Sequence, residues 1–235
     1  MEPTDSVVTQ RGGPQKIPRP ESWQMGAPAP WLSEHPKVIT SEALRDTISR
    51  FQPRTVTNEK QERRISAVLI PIYVSSEDEL FVILTRRSAL MKHHTHEVSF
   101  PGGNQEPEDK DLWSTAIREA HEEIGLDPAL PQYVGTLDSF ITVGSNSLVT
   151  PFVATLDVIP ELEANPIEVA EIIHVPLTEL LNPDIYREEI WELQDGQSRP
   201  VYFFELIGNT VWGATASMLR QFLLVLLSIN TSDHS

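Results

Sequence analysis

Apolar positions run almost unbroken from Ile65 to Val74 and resume from Leu80 to Thr85, after the polar stretch Ser75-Ser76-Glu77-Asp78-Glu79. Apolar, β-branched runs on either side of a short acidic turn predict a hairpin-like pair of strands. Glu97 to Phe100 predicts a short strand that delivers the chain to Gly102 and Gly103. The period then changes from two to that of a helix. Leu112, Ala116, Ile117, Ala120 and Ile124 form one apolar stripe, with Asp111 placed to cap its start and Gly125 to close its end. Tyr133 to Val143 and Leu148 to Val158 read as two further strands, and Val175 to Leu181 as a short helical turn. Glu188 to Leu193 and Val201 to Leu206 pair across a turn at Asp195-Gly196. The apolar stretch from Thr210 to Ile229 predicts a helix whose Leu219, Leu223, Leu226 and Leu227 pack on a sheet. Ser41 to Phe51 suits a shorter helix, capped at Ser41, with Leu44, Ile48 and Phe51 on one side. Strands alternating with helices in this way imply an α/β fold with a mixed sheet between helices.

The start of the chain differs. Residues 1–36 are rich in proline, as in Ile17-Pro18-Arg19-Pro20 and Ala27-Pro28-Ala29-Pro30, and such segments make neither a helix nor a central strand. We read this segment as an extended arm, with Trp23 and Trp31 able to dock, and residues 37–235 as one domain. Disorder of the whole arm is the alternative.

Charge narrows the chemistry. The 235 residues carry a formal net charge of -16, which argues against a nucleic-acid binder, because that needs a basic face. An anionic substrate would be repelled as well, unless cations reverse the field locally. No cysteine is present, so disulfides and thiol chemistry contribute nothing. No signal-like start is visible and no segment reaches the roughly 18 apolar residues of a membrane span, so a soluble cytoplasmic protein with no membrane partner is expected.

The predicted helix 112–124 carries Glu119, Glu122 and Glu123 at i, i+3 and i+4, and these should project from one face opposite the apolar stripe. Three like charges at that spacing weaken a helix, so a divalent cation that offsets them makes physical sense of the cluster. Hard carboxylate oxygens suit magnesium or manganese rather than zinc. An acidic cluster on a helix is more often a solvated face, but the anchored stripe and the glycines just upstream favour the metal reading. His93, His94 and His96 lie close together without cysteine or an obvious second ligand group, and a polar loop explains them better than a zinc site.

Arg118 to Leu126 resembles the signature of the Nudix hydrolases, R-E-U-x-E-E-x-G-U with U an aliphatic residue, with Ala120 in the first U position. Fifteen residue steps separate Gly103 from Arg118, one more than is usual, and Lys110 falls where the family has its first glutamate. That expansion, with Glu106 and Asp109 in the spacer, is similar to the coenzyme A pyrophosphatase branch. So is the upstream stretch Ile83-Leu84-Thr85-Arg86-Arg87-Ser88, followed at matching spacing by Phe100-Pro101-Gly102-Gly103. Two positions depart: Lys92 replaces an arginine and loses its planar fork, and His96 replaces a glycine. Further similar segments are Val149 to Val153, Asn165 to Glu171, Val175 to Leu177 and Trp212 to Ala216, so the resemblance covers about residues 64–228.

The resemblance implies an α/β/α sandwich and a metal-dependent hydrolase of a diphosphate bond. Glu119, Glu122 and Glu123 are then the ligands of Mg2+ or Mn2+, and Arg118 orients a carboxylate. Gly102 and Gly103 let the backbone approach metal and phosphates, and a loop carbonyl there joins the metal shell. Arg86, Arg87 and Lys92 bring cations to the substrate. Glu122 or Glu123 is the favoured general base, with Glu168 a weaker candidate. Coenzyme A or a derivative is the expected substrate, giving 4′-phosphopantetheine and adenosine 3′,5′-bisphosphate. The alternatives are another nucleoside diphosphate derivative such as ADP-ribose or NADH, or a module that binds a nucleotide without turnover. The partner is a small nucleotide in every case, and hydrolases of this family often form homodimers.

Overall fold

The run from Ile65 is apolar at all but Ser66 because it becomes a strand covered on both faces. The computed structural model describes residues 10–33, 39–56, 63–90, 96–142, 146–193 and 196–229. In chain order its elements are β1 (Trp23–Met25), α1 (Ser41–Arg50), β2 (Arg64–Val74), β3 (Leu80–Arg87), β4 (Val98–Ser99), β5 (Gly102–Asn104) and α2 (Leu112–Ile124). There follow β6 (Gln132–Thr136), β7 (Phe140–Ile141), β8 (Ser147–Leu156), β9 (Val169–Pro176) and α3 (Leu177–Leu180). A single 3-10 turn (Pro183–Ile185) leads into β10 (Tyr186–Glu192), β11 (Ser198–Leu206), β12 (Asn209–Trp212) and α4 (Gly213–Leu226).

The larger sheet is mixed, as expected. β2 pairs with β8 in parallel, while β3, β5 and the remaining partners run antiparallel. Alternation along β2 sends Ala67, Leu69 and Tyr73 to one face, where Ala116, Ala120 and Ile124 of α2 cover them. Ile70 and Ile72 point to the other face and join Leu44 and Ile48 of α1 and Leu219, Phe222 and Leu223 of α4. Helices on both faces of one sheet give the α/β/α sandwich. A second sheet, in the order β1-β10-β11-β12, packs against the α4 side.

Several elements differ from the expectation. Thr40, one residue before the expected cap, starts α1 by accepting from the Ala43 N–H at 3.2 Å. The glycines expected in a loop form β5, an edge segment bonded to β2. The expected strand 133–143 is interrupted, with β6 ending at Thr136 and β7 holding only two residues. β9 went unforeseen because it is paired on one side only, to β3, and so retains polar residues such as Glu171 and His174. The helix expected from Thr210 begins at Gly213, because Asn209 to Trp212 first complete the second sheet. Asp195, in the expected turn, lies outside the described residues.

The described part of the arm is tied to the second sheet. β1 pairs with β10, and Arg19 grips the fully buried Glu189 with two bonds of 2.9 and 2.6 Å. Glu189 also accepts from the Trp191 indole and forms an ion pair with Arg187, so its charge is well compensated. Trp31 is 2% exposed and stands between Tyr186, edge-on at 5.2 Å, and Phe204, stacked at 6.1 Å. Its indole N–H has no partner.

Trp31→Ala should therefore destabilise the chain by about 3 kcal/mol through the cavity it leaves, read from the midpoint of urea unfolding. Trp31→Phe should lose less, since it keeps a ring and drops an unpaired donor. A loss below about 1 kcal/mol for the alanine variant would show that the arm does not contribute to the core.

Candidate active site

Helix α2 is fixed at both ends before it can present anything. The Asp111 carboxylate accepts from the Ser114 N–H at 2.7 Å, and Gly125 closes the helix at φ 65°, both as expected. At the C-terminal end the Glu163 N–H donates to the Ile124 carbonyl at 3.0 Å and the Asn165 N–H to the Glu123 carbonyl at 2.9 Å. The segment from Asn165 to Glu171 thus caps the helix and brings Glu168 beside its acids.

The three glutamates do not share one exposed face. Glu123 is 3% exposed and turns inward with Ile124, whereas the Glu122 side chain is 51% exposed. Glu119, one turn before Glu123, lies against β5. The reason is the width of the apolar stripe: residues 116, 120, 123 and 124 all fall within the arc that faces the sheet. The strand β5 completes the contact. The Gly102 N–H donates to Glu123 Oε2 at 3.2 Å, and a β-carbon on Gly103 would meet the Glu119 carboxylate at 2.5 Å.

Arg118 supplies the nearest compensation. Its Nη1 bonds Glu119 at 3.1 Å and Glu122 at 3.0 Å, its Nε and Nη2 both grip Asp109 at 3.0 Å, and Nη2 also reaches the Asn104 carbonyl. That fork lowers the Asp109 carboxyl to about 2, while the acid partners raise the Arg118 pKa. Lys110, where the family pattern would have an acid, is exposed, and Asp109 one residue earlier takes the inward position. The role of Asp109 was missed from sequence. Its signal was an acid nine residues before Arg118, at the turn that opens with Glu106.

Burial dominates the inner acids. It raises Glu123 to about 8, against the Gly102 hydrogen bond and Arg87, and the charges of Glu119 and Glu168 push the same way. Glu119 is raised for the same first reason, opposed by Arg118. Five carboxylates, Asp109, Glu119, Glu122, Glu123 and Glu168, thus face the two guanidiniums of Arg118 and Arg87. Among the described residues no trio of acids or histidines is already closed around a cation-sized space. The donor set nevertheless fits a hard divalent cation: acid oxygens only, under-compensated, with the Glu119 carboxylate lying close to the β5 backbone because Gly103 has no β-carbon in its way.

The remaining expected site residues divide. Arg87 is brought in, with Nη1 4.0 Å from Glu123 Oε1 and a buried Nε that has no partner. Arg86 faces the other side of the sheet, where it pairs with Glu171 at 3.0 Å and Asn209 at 3.4 Å. Lys92, His93 and His94 lie outside the described residues. His96 is described, and its φ of 64° is the left-handed conformation in which a glycine costs nothing.

A model described as NUDIX domain matches residues 63–193. An uncharacterized Nudix hydrolase NudL of Photorhabdus laumondii is 37% identical over 182 residues, covering 76% of this chain and 95% of its own length. The protein of the same name from Pectobacterium atrosepticum is 36% identical, covering 79% and 95%. Among solved structures, a Nudix hydrolase from M. smegmatis, RenU, aligns with a TM-score of 0.48 at 18% identity over 73% of this chain and 91% of that one.

The two glycines should separate stability from activity. In Gly102→Ala the new methyl meets backbone, the Ala67 carbonyl at 2.4 Å, so thermal unfolding should show a loss of about 3 kcal/mol. In Gly103→Ala it meets only the movable end of Glu119, so folding should survive. Turnover should fall about a hundredfold from the displaced carboxylate. Equal effects of both substitutions on melting would contradict the geometry.

Proposed function

The chain belongs to the Nudix hydrolase family and is a pyrophosphohydrolase of nucleoside diphosphate derivatives, and from that premise we propose that its substrate is coenzyme A or an acyl derivative. The observation that carries this reading is the pairing of β3 with β4. It sets the coenzyme A-branch stretch Ile83 to Ser88 beside the approach to Phe100-Pro101-Gly102-Gly103, and so stands Arg87 next to Glu123. An unpartnered Nε on a largely buried guanidinium suits a phosphate oxygen.

In this reading Glu119, Glu122 and Glu123 hold Mg2+, or Mn2+ in its place, with a glycine carbonyl of β5 beside them. When bound, the cation supplies polarisation of a phosphoryl oxygen and acidification of water. Arg118 fixes the carboxylates of Glu119 and Glu122 so that they do not have to be ordered during binding. Arg87 binds the diphosphate. The attacking water gives its proton to a carboxylate, for which we favour Glu122 or Glu123, with Glu168 as the alternative. A new P–O bond forms from water, and the bond from that phosphorus to the bridging oxygen breaks. The products are 4′-phosphopantetheine, with any acyl group it bore, and adenosine 3′,5′-bisphosphate. We assign the work to the cytoplasm, and among the described residues no helix is long and apolar enough to cross a membrane.

Incubation with magnesium and coenzyme A, ADP-ribose or NADH, with products identified by mass, should show coenzyme A cut fastest. ADP-ribose cut far faster would replace this substrate, and no cleavage at all would leave a binding module.

Magnesium at about a hundred times its dissociation constant should stabilise the chain by about 2.7 kcal/mol, a rise of about 5–10 °C in Tm. Glu123→Gln keeps the shape and removes the buried charge. It should abolish most of that rise and lower kcat by several orders of magnitude. A full magnesium shift in that variant would remove Glu123 from the ligand set.

A further inference from the structure

We infer that Gln15, in the proline-rich arm, is a positioning residue for the diphosphate site: it clamps the base of the β3–β4 connection and thereby fixes Arg87 beside Glu123. The inference rests on the reading of Arg87 as the phosphate-binding cation.

Gln15 lies outside the segment that matches the family, yet it is 9% exposed and both polar atoms of its amide have partners. Nε2 donates to the His96 carbonyl at 2.9 Å and lies 3.4 Å from Asn209 Oδ1, while Oε1 accepts from the Thr210 N–H at 2.9 Å. One side chain therefore joins three parts of the molecule: the arm, the start of β12 and His96, two residues before β4. A glutamine is suited to this because it presents a donor and an acceptor side by side at the end of a long side chain.

His96 is the place where such a clamp matters. Its backbone is left-handed, which is unfavourable for a residue with a β-carbon, and its carbonyl is turned to Gln15. Its N–H donates to the Arg87 carbonyl at 3.3 Å, and the Arg87 N–H donates to the Glu97 carbonyl at 2.9 Å. Those two bonds hold the Arg87 peptide at the point where the register of β3 on β9 shifts, between Arg86 and Arg87. A strand end at a bulge is prone to fray. The unfavourable turn and the hydrogen bond that holds it are of similar size, so the bond decides whether the turn persists. From Gln15 the contacts run without a gap through His96 to the Arg87 backbone, and the Arg87 side chain ends beside Glu123.

Gln15→Glu removes the donor and keeps the acceptor: a carboxylate still accepts from Thr210 but cannot donate to His96, nor make the longer 3.4 Å contact with Asn209. In the full chain, amide hydrogen exchange followed by NMR should become about tenfold faster at Arg87 and His96, and be unchanged along β10 and β11. KM for the diphosphate that the wild type cleaves should rise about tenfold with kcat within about threefold, the pattern of lost ground-state binding. His96→Gly added to Gln15→Glu should restore KM, since glycine holds the left-handed turn unaided. Arg11→Ala loosens the arm at its contact with Glu179 and should leave KM alone. Unchanged exchange, faster exchange with unchanged KM, or an equal KM rise in Arg11→Ala would each overturn the inference. If the wild type cleaves no diphosphate, the proposed substrate reading fails by itself. The dissociation constant for ADP with magnesium then judges the clamp: about tenfold weaker in Gln15→Glu supports it, and no change overturns it.

Discussion

The site depends on how closely α2 can lie against β5. Glu119 and Glu123 are held within reach of the glycine backbone because Gly103 has no side chain in the space that the Glu119 carboxylate fills, and because Gly102 offers its N–H to Glu123. That approach in turn requires β5 to be bonded to β2 and α2 to be seated on the same strand through Ala116 and Ala120, small residues that bring the helix axis in. A larger residue at either alanine would lift the acids away from the strand, so the packing of the core and the placing of the carboxylates are one problem.

Burial so achieved creates an electrostatic debt that the protein meets only in part. Arg118 neutralises the outer rim, and its bonds to Asp109, Glu119 and Glu122 make the first turns of the cluster rigid. It makes no bond to Glu123, whose ion-pair partner among the described residues is Arg87 at 4.0 Å. A carboxyl pushed to about 8 by burial is poorly placed as a solitary charge, and stable chiefly when a proton or a cation accompanies it. The same imbalance explains how a chain of net charge -16 can serve an anionic substrate. The negative field is concentrated where a divalent ion would reverse it, and Arg87 stands beside the same acids, 4.0 Å from Glu123.

Much of this was legible in the sequence because it followed from period and capping. The helix 112–124, its cap at Asp111, its glycine stop and the two long strands after Ile65 all appeared with nearly correct bounds. What escaped was set by tertiary contact. Nothing local distinguishes Glu123 from Glu122, yet a rotation of one residue about the helix axis buries the first and exposes the second. β5 and β12 are too short to show alternation, and β9 keeps the polar residues of a strand paired on one side. Trp31 signalled that the arm could dock, but its partners Tyr186 and Phe204 are more than 150 residues away in the chain.

Arg86 and Arg87 show the same limit in the smallest space. As adjacent cations they read alike, and the branch resemblance assigns both to the substrate. A strand places neighbours on opposite faces, so only one of them can look toward α2. Ile83 of β3 belongs to the core under α2 and Leu84 to the core on the other side, and that alternation puts Arg87 at the acids and Arg86 among Glu171 and Asn209. There Arg86 lines a cavity of about 740 Å³ whose other walls include Arg11 and Gly13 of the arm and Gly208 of the β11–β12 turn. The two faces of β3 thus place the two cations in different surroundings. One cation stands beside the acids of the helix, and the other lies at the junction between the sheet and the arm, which is where Gln15 also makes its bonds.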